Sequence, residues 1–221
     1  MNVAEAVKAR RAIRGFKPEP VPESLLREIL DLARFAASNC NSQPWHLAIV
    51  SGAAKDKLSQ QLLSEIASGK PPSPYFLQGD KNLEGVYRER QYDCARRYYA
   101  TVGITREDRQ GRDRQALLNW TFFGAPHVGF LSMPRTMSVV NAVDLGIYLQ
   151  TLMLLLVERG LASCPQAILA LYPDPVFEIA DIPEGNALVC GISFGYEDPE
   201  AVINQTYMDR APLHETVTFR S

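Results

Sequence analysis

Near the start of the chain, Lys8 to Lys17 reads KARRAIRGFK, with five cations (Lys8, Arg10, Arg11, Arg14 and Lys17) and no acid among them. Guanidinium is a planar, permanently charged fork that matches phosphate geometry, so Arg10, Arg11 and Arg14 are candidates for holding a phosphate group. Ala9, Ile13 and Phe16 recur beside them at helical spacing. The pattern predicts a helix with an apolar stripe, with Arg10 and Arg14 one turn apart on one face. Two plainer roles also fit, a solvated basic helix face and a nucleic-acid arm. The second is disfavoured by the net charge of −2, because a nucleic-acid binder carries a basic excess over a whole face or domain.

Side chains that could do catalysis themselves do not gather in the sequence. His46, His127 and His214 lie far apart, without an HExxH arrangement, and Cys40, Cys94, Cys164 and Cys190 form no CxxC pair. Neither a metal site nor a disulfide framework is expected. The chain has no GxSxG elbow, P-loop or GxGxxG fingerprint. Cys164 could be a nucleophile, but a small buried cysteine is the commoner role. Phosphate-binding arginines without catalytic side chains point to a cofactor that brings its own chemistry. Glu5 and the cation run take the place of an apolar signal-peptide core, so a reducing cytoplasm is the expected location.

The elements that must position these residues read in order. Pro22-Glu23-Ser24 opens an amphipathic helix with Leu25, Leu26, Ile29, Leu30, Ala33 and Ala37 as its apolar set. It ends in the polar run Ser38 to Trp45, closed by Pro44. His46 to Val50 reads as a strand, and residues 53–68 as a helix. From about 69 to 115 the chain turns charged and tyrosine-rich, helical from Leu83 to Tyr99. That stretch is either a lid-like insertion or a plain surface helix. His127 to Met133 is a second apolar strand and Leu188 to Phe194 a third. Asn141 to Gly160 is a helix apolar on nearly every face, with Asp144 as cap or first-turn acid and Gly160 as its C-terminal stop. Gln150 and Thr151 interrupt its apolar run, which is too short for a membrane span; the helix is expected in the core, or shared with a second chain. Gly160 to Ala167 reads as a loop of small residues, Tyr172 to Ala180 as a short helix, and the tail from Asp198 as extended, ending in the β-prone Val217 to Phe219. Three short apolar strands among longer helices predict an α+β fold whose central, mainly antiparallel sheet is wrapped by helices. A single domain over 1–221 is expected, with the insertion at about 69–115.

The stretches RRAIRGF, SNCNSQPWH and GLASCPQ, in that order and spacing, resemble the FMN-dependent nitroreductase family. The family has an Arg-rich start ending in an aromatic, here Arg10 to Phe16, and an Asn-x-Gln-Pro-Trp turn before its first strand, here Asn41 to Trp45. It has a Gly-Leu-Gly-x-Cys-type loop after its long helix, here Gly160 to Gln166, and a near-terminal arginine, here Arg210. The resemblance runs from about residue 6 to the C-terminus, is weakest between Gly69 and Gln115, and is closest to short bacterial nitrobenzoate-reductase-type members. It implies FMN as cofactor, with Arg10, Arg11 and Arg14 on its phosphate and ribityl chain and Arg210 returning to the same phosphate. Ala12, where the family often has Ser, can offer only backbone. Ser38, Asn39, Asn41 and Gln43 resemble residues that a second subunit lends to the flavin. Pro165, Gln166 and Ala167 resemble the loop along the isoalloxazine, where a backbone N–H faces N5, with Cys164 packed beneath. The resemblance also implies an intertwined homodimer, NADH or NADPH as hydride donor, and a small-molecule acceptor such as a nitroaromatic in a ping-pong scheme. Neither nucleic acid nor membrane is an expected partner. Reductive dehalogenation or enone reduction on the same fold stays open, as does a non-catalytic flavin-binding protein; a deiodinase-like member would need a lid that clamps an amino-acid zwitterion, for which Glu84, Tyr87 and Arg88 offer the residue types.

Overall fold

In the computed structural model, which describes residues 1–76 and 82–220, the described strands form one sheet in the order β1-β2-β4-β3 with every pairing antiparallel. The strands are β1 (His46–Ser51), β2 (His127–Pro134), β3 (Ala162–Gln166) and β4 (Asn186–Gly195). The described helices are α1 (Val3–Ala9), α2 (Glu23–Ala33), α3 (Gly52–Ala67), α4 (Gly85–Thr101), α5 (Arg109–Leu117), α6 (Val139–Glu158) and α7 (Pro173–Ala180). The α+β expectation holds, and the three expected strands are β1, β2 and β4.

Helices cover both faces of the sheet, which is why the inner strands are continuously apolar. On β2, Val128 and Phe130 face one core, with Leu58 and Leu62 of α3 and Val176 of α7. Leu131 and Met133 face the other, with Ile29 and Ala33 of α2 and Leu145, Leu152 and Leu156 of α6. A bulge keeps β4 in step: Leu131 pairs with Cys190 but Ser132 pairs with Leu188, so Val189 is the extra residue. Leu188 therefore joins the first core, while Ile192 and Phe194 join the second.

Two local expectations are corrected. Gly160 to Ala167 is not a loop, since Ala162–Gln166 pairs along β4 from Ala162↔Gly195 to Gln166↔Gly191. Pro165 disguised the strand, because proline removes a ladder donor; it is tolerated here because β3 lies at the sheet edge. Nor is the cation stretch a helix. α1, held by a capping box between Asn2 and Glu5, stops at Ala9, and seven residues make a marginal helix without tertiary support. Beyond it the chain runs extended: Ile13 donates its N–H to Ser163 (3.0 Å), Lys17 to Tyr196 (2.9 Å), and Ala12 forms a parallel bridge with Ser163. Pairing with the outer edge of β3 outweighs the weak helical periodicity.

The long apolar helix is α6. Its cap is Ser138, in a capping box with Asn141, and not Asp144, which lies buried further along. Gly160 follows its end with φ +74°, the left-handed geometry that glycine supplies without a Cβ penalty. By length and composition alone α6 could cross a membrane, its most apolar window having mean hydropathy 1.7. Here Leu145, Tyr148, Leu152 and Leu156 bury one side in the core, while Val139, Val143 and Ile147 remain 79%, 60% and 39% exposed. The charged insertion carries α4 and α5; residues 77–81 of it lie outside the described residues. The tail runs back along α4, tied by the ion pairs Arg90–Glu215 (2.6 Å) and Arg97–Asp209 (2.8 Å). Val217 to Phe219 forms no strand within this chain, and Phe219 is 83% exposed.

His127 opens β2 inside the core. Its Nε2 accepts the Val21 N–H at 2.9 Å, so the neutral ring carries its proton on Nδ1, facing Ser51 Oγ. The ring stacks on Phe194 with centroids 5.3 Å apart. Burial, and secondarily Lys55, holds its pKa below the ordinary histidine value. The unfolded chain therefore binds a proton that the folded one refuses, and stability falls as pH drops below about 6.5, down to the folded pKa. In that window denaturant unfolding should show a slope of up to about 1.4 kcal/mol per pH unit from this residue. His127→Gln should flatten the slope; an unchanged slope would remove His127 as its source.

Candidate cofactor site

The extended arm sets the cations of Lys8–Lys17 against β3. Arg10 is half-buried, and its side chain has no hydrogen bond or ion pair among the described residues. Burial first, and the facing charge of Arg210 second, push its pKa below the usual guanidinium value. Arg210 donates to the carbonyls of Met208 (2.9 Å) and Asp209 (3.0 Å), but the Asp209 carboxylate is turned to Arg97. Arg14 lies 5.0 Å over the Tyr98 ring of α4 and, like Arg10, has no acid beside it among the described residues. Three cations converge without an anion of their own, an arrangement that favours an anionic ligand.

Arg11 is placed differently. It pairs with Glu197 at 2.7 Å, donates to the Asn204 carbonyl, and lies 4.9 Å over Tyr207. Its role here is to fasten the arm to the chain after β4. Asn204 completes the fastening, a role that no local pattern around it signalled. Its Oδ1 accepts the Arg14 N–H at 2.9 Å, and its Nδ2 donates to Gly15 (2.9 Å) and Asp198 (3.0 Å). The approach is close: a Cβ at Gly15 would lie 2.3 Å from the Ala201 Cβ.

Behind the arm, Pro165, Gln166 and Ala167 lead from β3 into a 3-10 turn, Ala167–Ala170. The Gln166 side chain faces inward at 4% exposure. Its Nε2 donates to both oxygens of Asn119 (3.2 and 3.1 Å), and its Oε1 accepts from Ser193 Oγ at 2.5 Å. Its polar side-chain atoms are thus committed to the protein and not to a ligand. Gly191, its pairing partner, leaves room for Leu169, whose Cδ1 would be 2.5 Å from a Cβ there.

The polar turn after α2 has a strained backbone. Cys40, Asn41 and Gln43 all have positive φ, 51°, 55° and 47°. Left-handed non-glycine residues cost on the order of 1–2 kcal/mol each, less for Asn, and persist only where surroundings hold them. Ser38 Oγ accepts the Gln43 N–H (3.0 Å), Gln43 Nε2 donates to the Asn41 carbonyl (3.1 Å), and the Asn39 N–H reaches Asp144 Oδ1 of α6 (3.0 Å). The side chains of Asn39, Asn41 and Gln43 are exposed. Within one chain no described hydrogen bond or ion pair joins this turn to the arginine cluster. The structure therefore brings together Arg10, Arg14, Arg210 and the end of β3, and leaves Ser38–Gln43 facing outward. Of the alternative clamp residues, Arg88 Nε donates to the Leu83 carbonyl (2.6 Å) and Tyr87 is exposed beside Arg90, so Glu84, Tyr87 and Arg88 do not assemble one.

A sequence model of the Nitroreductase family matches residues 7–196. The chain belongs to the nitroreductase family. Nitroreductase NfnB of Mycolicibacterium smegmatis is 42% identical over 216 residues, covering 96% of this chain and 90% of that protein. A 4-nitrobenzoate reductase of Pseudomonas putida is 36% identical over 204 residues, covering 92% and 89%. The crystal structure of the FMN-dependent nitroreductase NfnB from Mycobacterium smegmatis in complex with NADPH matches with a TM-score of 0.94 at 40% identity, over 100% of both chains. The nitroreductase fold expected from the three stretches is the fold observed.

In this nitroreductase Cys164 sits under the arm. Arg10 and Arg14 both favour its thiolate, yet burial dominates and pushes the thiol up to about 11; burial takes Cys190 to about 12. Both are protonated at neutral pH, so neither is a ready nucleophile. Iodoacetamide at pH 7.5 is expected to label exposed Cys94 and spare Cys164 and Cys190 until the protein is unfolded, as peptide mass spectrometry would record. Rapid native labelling of Cys164 would show that Arg10 and Arg14 outweigh burial.

Proposed function

We propose that this chain is an FMN-dependent NAD(P)H oxidoreductase that reduces nitroaromatic or related electrophilic compounds. The observation that carries the reading is the uncompensated cluster of Arg10, Arg14 and Arg210. A dianionic phosphate there gains charge-assisted hydrogen bonds worth roughly 1.5–3 kcal/mol each, and its charge would also relieve the repulsion between Arg10 and Arg210. Arg11 serves the same group by holding the arm through Glu197, and Ala12 contributes backbone. Pro165, Gln166 and Ala167 line the ring through their main chain. Bound FMN would supply hydride exchange, first from nicotinamide and then to the acceptor. The chain's own part is to fix the phosphate, present the ring, and keep one face open to two substrates in turn. The relatives named for nitro substrates favour this reading over dehalogenation, enone reduction or flavin binding without turnover.

The working form is a homodimer. The face of α6 bearing Val139, Val143 and Ile147 is exposed in one chain, and a second copy covers it. The same copy brings its Ser38, Asn39, Asn41 and Gln43 to the flavin. The chain is one flavin-binding domain with a lid-like insertion at about 69–115, and the enzyme is cytoplasmic.

The purified protein is expected to be yellow. Anaerobic NADPH or NADH should bleach the flavin band, and 4-nitrobenzoate should restore it. Arg14→Ala and Arg210→Ala should each weaken FMN binding by about 10- to 100-fold with the circular dichroism spectrum unchanged, in line with one lost charge-assisted contact. Protein that stays colourless and shows no FMN binding in titration would refute the reading. Sedimentation at low concentration should give a dimer, and a folded monomer that binds FMN one-to-one would refute the shared site.

A further inference from the structure

The Ser38–Gln43 turn holds its three left-handed residues with bonds that are almost all its own. Ser38 Oγ to the Gln43 N–H, Gln43 Nε2 to the Asn41 carbonyl, and the Asn41 and Ser42 amides to the Ser38 and Asn39 carbonyls all stay within it. Among the described residues a single hydrogen bond ties residues 38–43 to another element, the Asn39 N–H to Asp144 Oδ1 at 3.0 Å. Asp144 is 4% exposed, and its Oδ2 is buried with no hydrogen-bond partner among the described residues. Its surroundings on α6 are apolar, with Leu145 and Tyr148 buried beside it. On packing grounds alone a leucine would serve better, because a carboxylate oxygen buried without a donor is costly. A costly carboxylate and a strained turn meet at one bond, and the helix that carries the carboxylate also carries the exposed apolar face.

We propose that Asp144 is the positioning residue of the flavin site in trans. It holds the left-handed turn in the shape in which Asn39, Asn41 and Gln43 reach the second subunit's flavin. This rests on the flavin and dimer reading above. Asp144 itself touches no ligand; it acts through the Asn39 amide. α6 supports the turn through Asp144 and the exposed valine face through other residues, so site completion can be lost without loss of assembly.

The bond can be removed from either side. Asp144→Ala deletes the acceptor, whereas Asp144→Asn keeps an oxygen for the Asn39 amide. Asn39→Pro deletes the donor. Ser38 before it is extended, at φ −146° and ψ 155°, and Asn39 opens the 3-10 turn, so proline suits the backbone there. Asn39→Ala loses the side chain but keeps the N–H and is the reference for Asn39→Pro. FMN affinity would be read from quenching of flavin fluorescence, with sedimentation alongside to confirm the assembly state.

Asp144→Ala is expected to bind FMN at least tenfold more weakly than the native chain while still assembling like it, and Asp144→Asn to stay within about threefold of native. Asn39→Pro should fall at least tenfold below Asn39→Ala, and this pair decides the matter if Asp144→Ala does not fold. The proposal is overturned if the bond-deleting variants bind FMN within threefold of their references. It is equally overturned if Asp144→Asn is as weak as Asp144→Ala, or if Asp144→Ala loses assembly together with flavin. Native protein that binds no FMN would instead overturn the flavin reading itself, and Arg14→Ala, which acts on the phosphate end, separates the two failures.

Discussion

The bond from the Ile13 amide to the Ser163 carbonyl decides where every cation of the arm can reach. Extended pairing turns successive side chains to opposite sides. Ile13 goes into the core, and Arg14, the next residue, comes out over Tyr98. The same pairing shields the outer edge of β3, whose Pro165 cannot donate to a further strand. A bare edge would invite association with other chains; here it serves as the mounting for a charged segment. The site's electrostatics thus rest on a piece of sheet geometry, and the arginines matter only because the backbone beneath them is held at both ends, by Ile13 on Ser163 and Lys17 on Tyr196.

Around that mounting, polar groups are spent on architecture more often than on a ligand. Arg11 goes to Glu197, Gln166 to Asn119 and Ser193, and Asn204 to the arm. What stays without an acid of its own among the described residues is a short set of guanidiniums, Arg10, Arg14 and Arg210. That division suits a protein whose reactive atoms belong to a bound cofactor. Committed side chains keep the walls rigid, while cations without acids of their own do the holding. Cys164, protonated and shut in beneath the arm, belongs with the walls.

Sequence patterning revealed the strands and helices whose signals are local. β1, β2 and β4 are apolar runs bounded by turn residues, α2 is amphipathic, and α6 is apolar along its length. The arm and β3 were hidden because each finds its partner far along the chain: Ile13 and Phe16 are spaced by three, as a helix would have them, and β3 contains a proline. The arginines of the site were legible from residue type, because few side chains suit phosphate so well. Their supports were not. Arg14 and Asn204 are 190 residues apart in sequence, and Asn39 and Asp144 are 105 apart. Asp144 even resembled a helix cap, since an acid near a helix start has the same composition whether it points along the axis or into a neighbouring turn.

The ties between α4 and the tail are made of charge. Arg90 reaches Glu215 and Arg97 reaches Asp209, and the tail that accepts them also carries Arg210. Each cation lies in the insertion, where the family resemblance is weakest, and each acid lies within residues 209–215 of the tail. Two surface segments joined in this way form one exchangeable module, although more than a hundred residues separate them. Drift in one is tolerated only when the other drifts with it. A chimera that imports a relative's insertion should therefore import that relative's tail as well, since a foreign helix beside the native tail would leave Glu215 and Asp209 without partners and Arg210 loosely held.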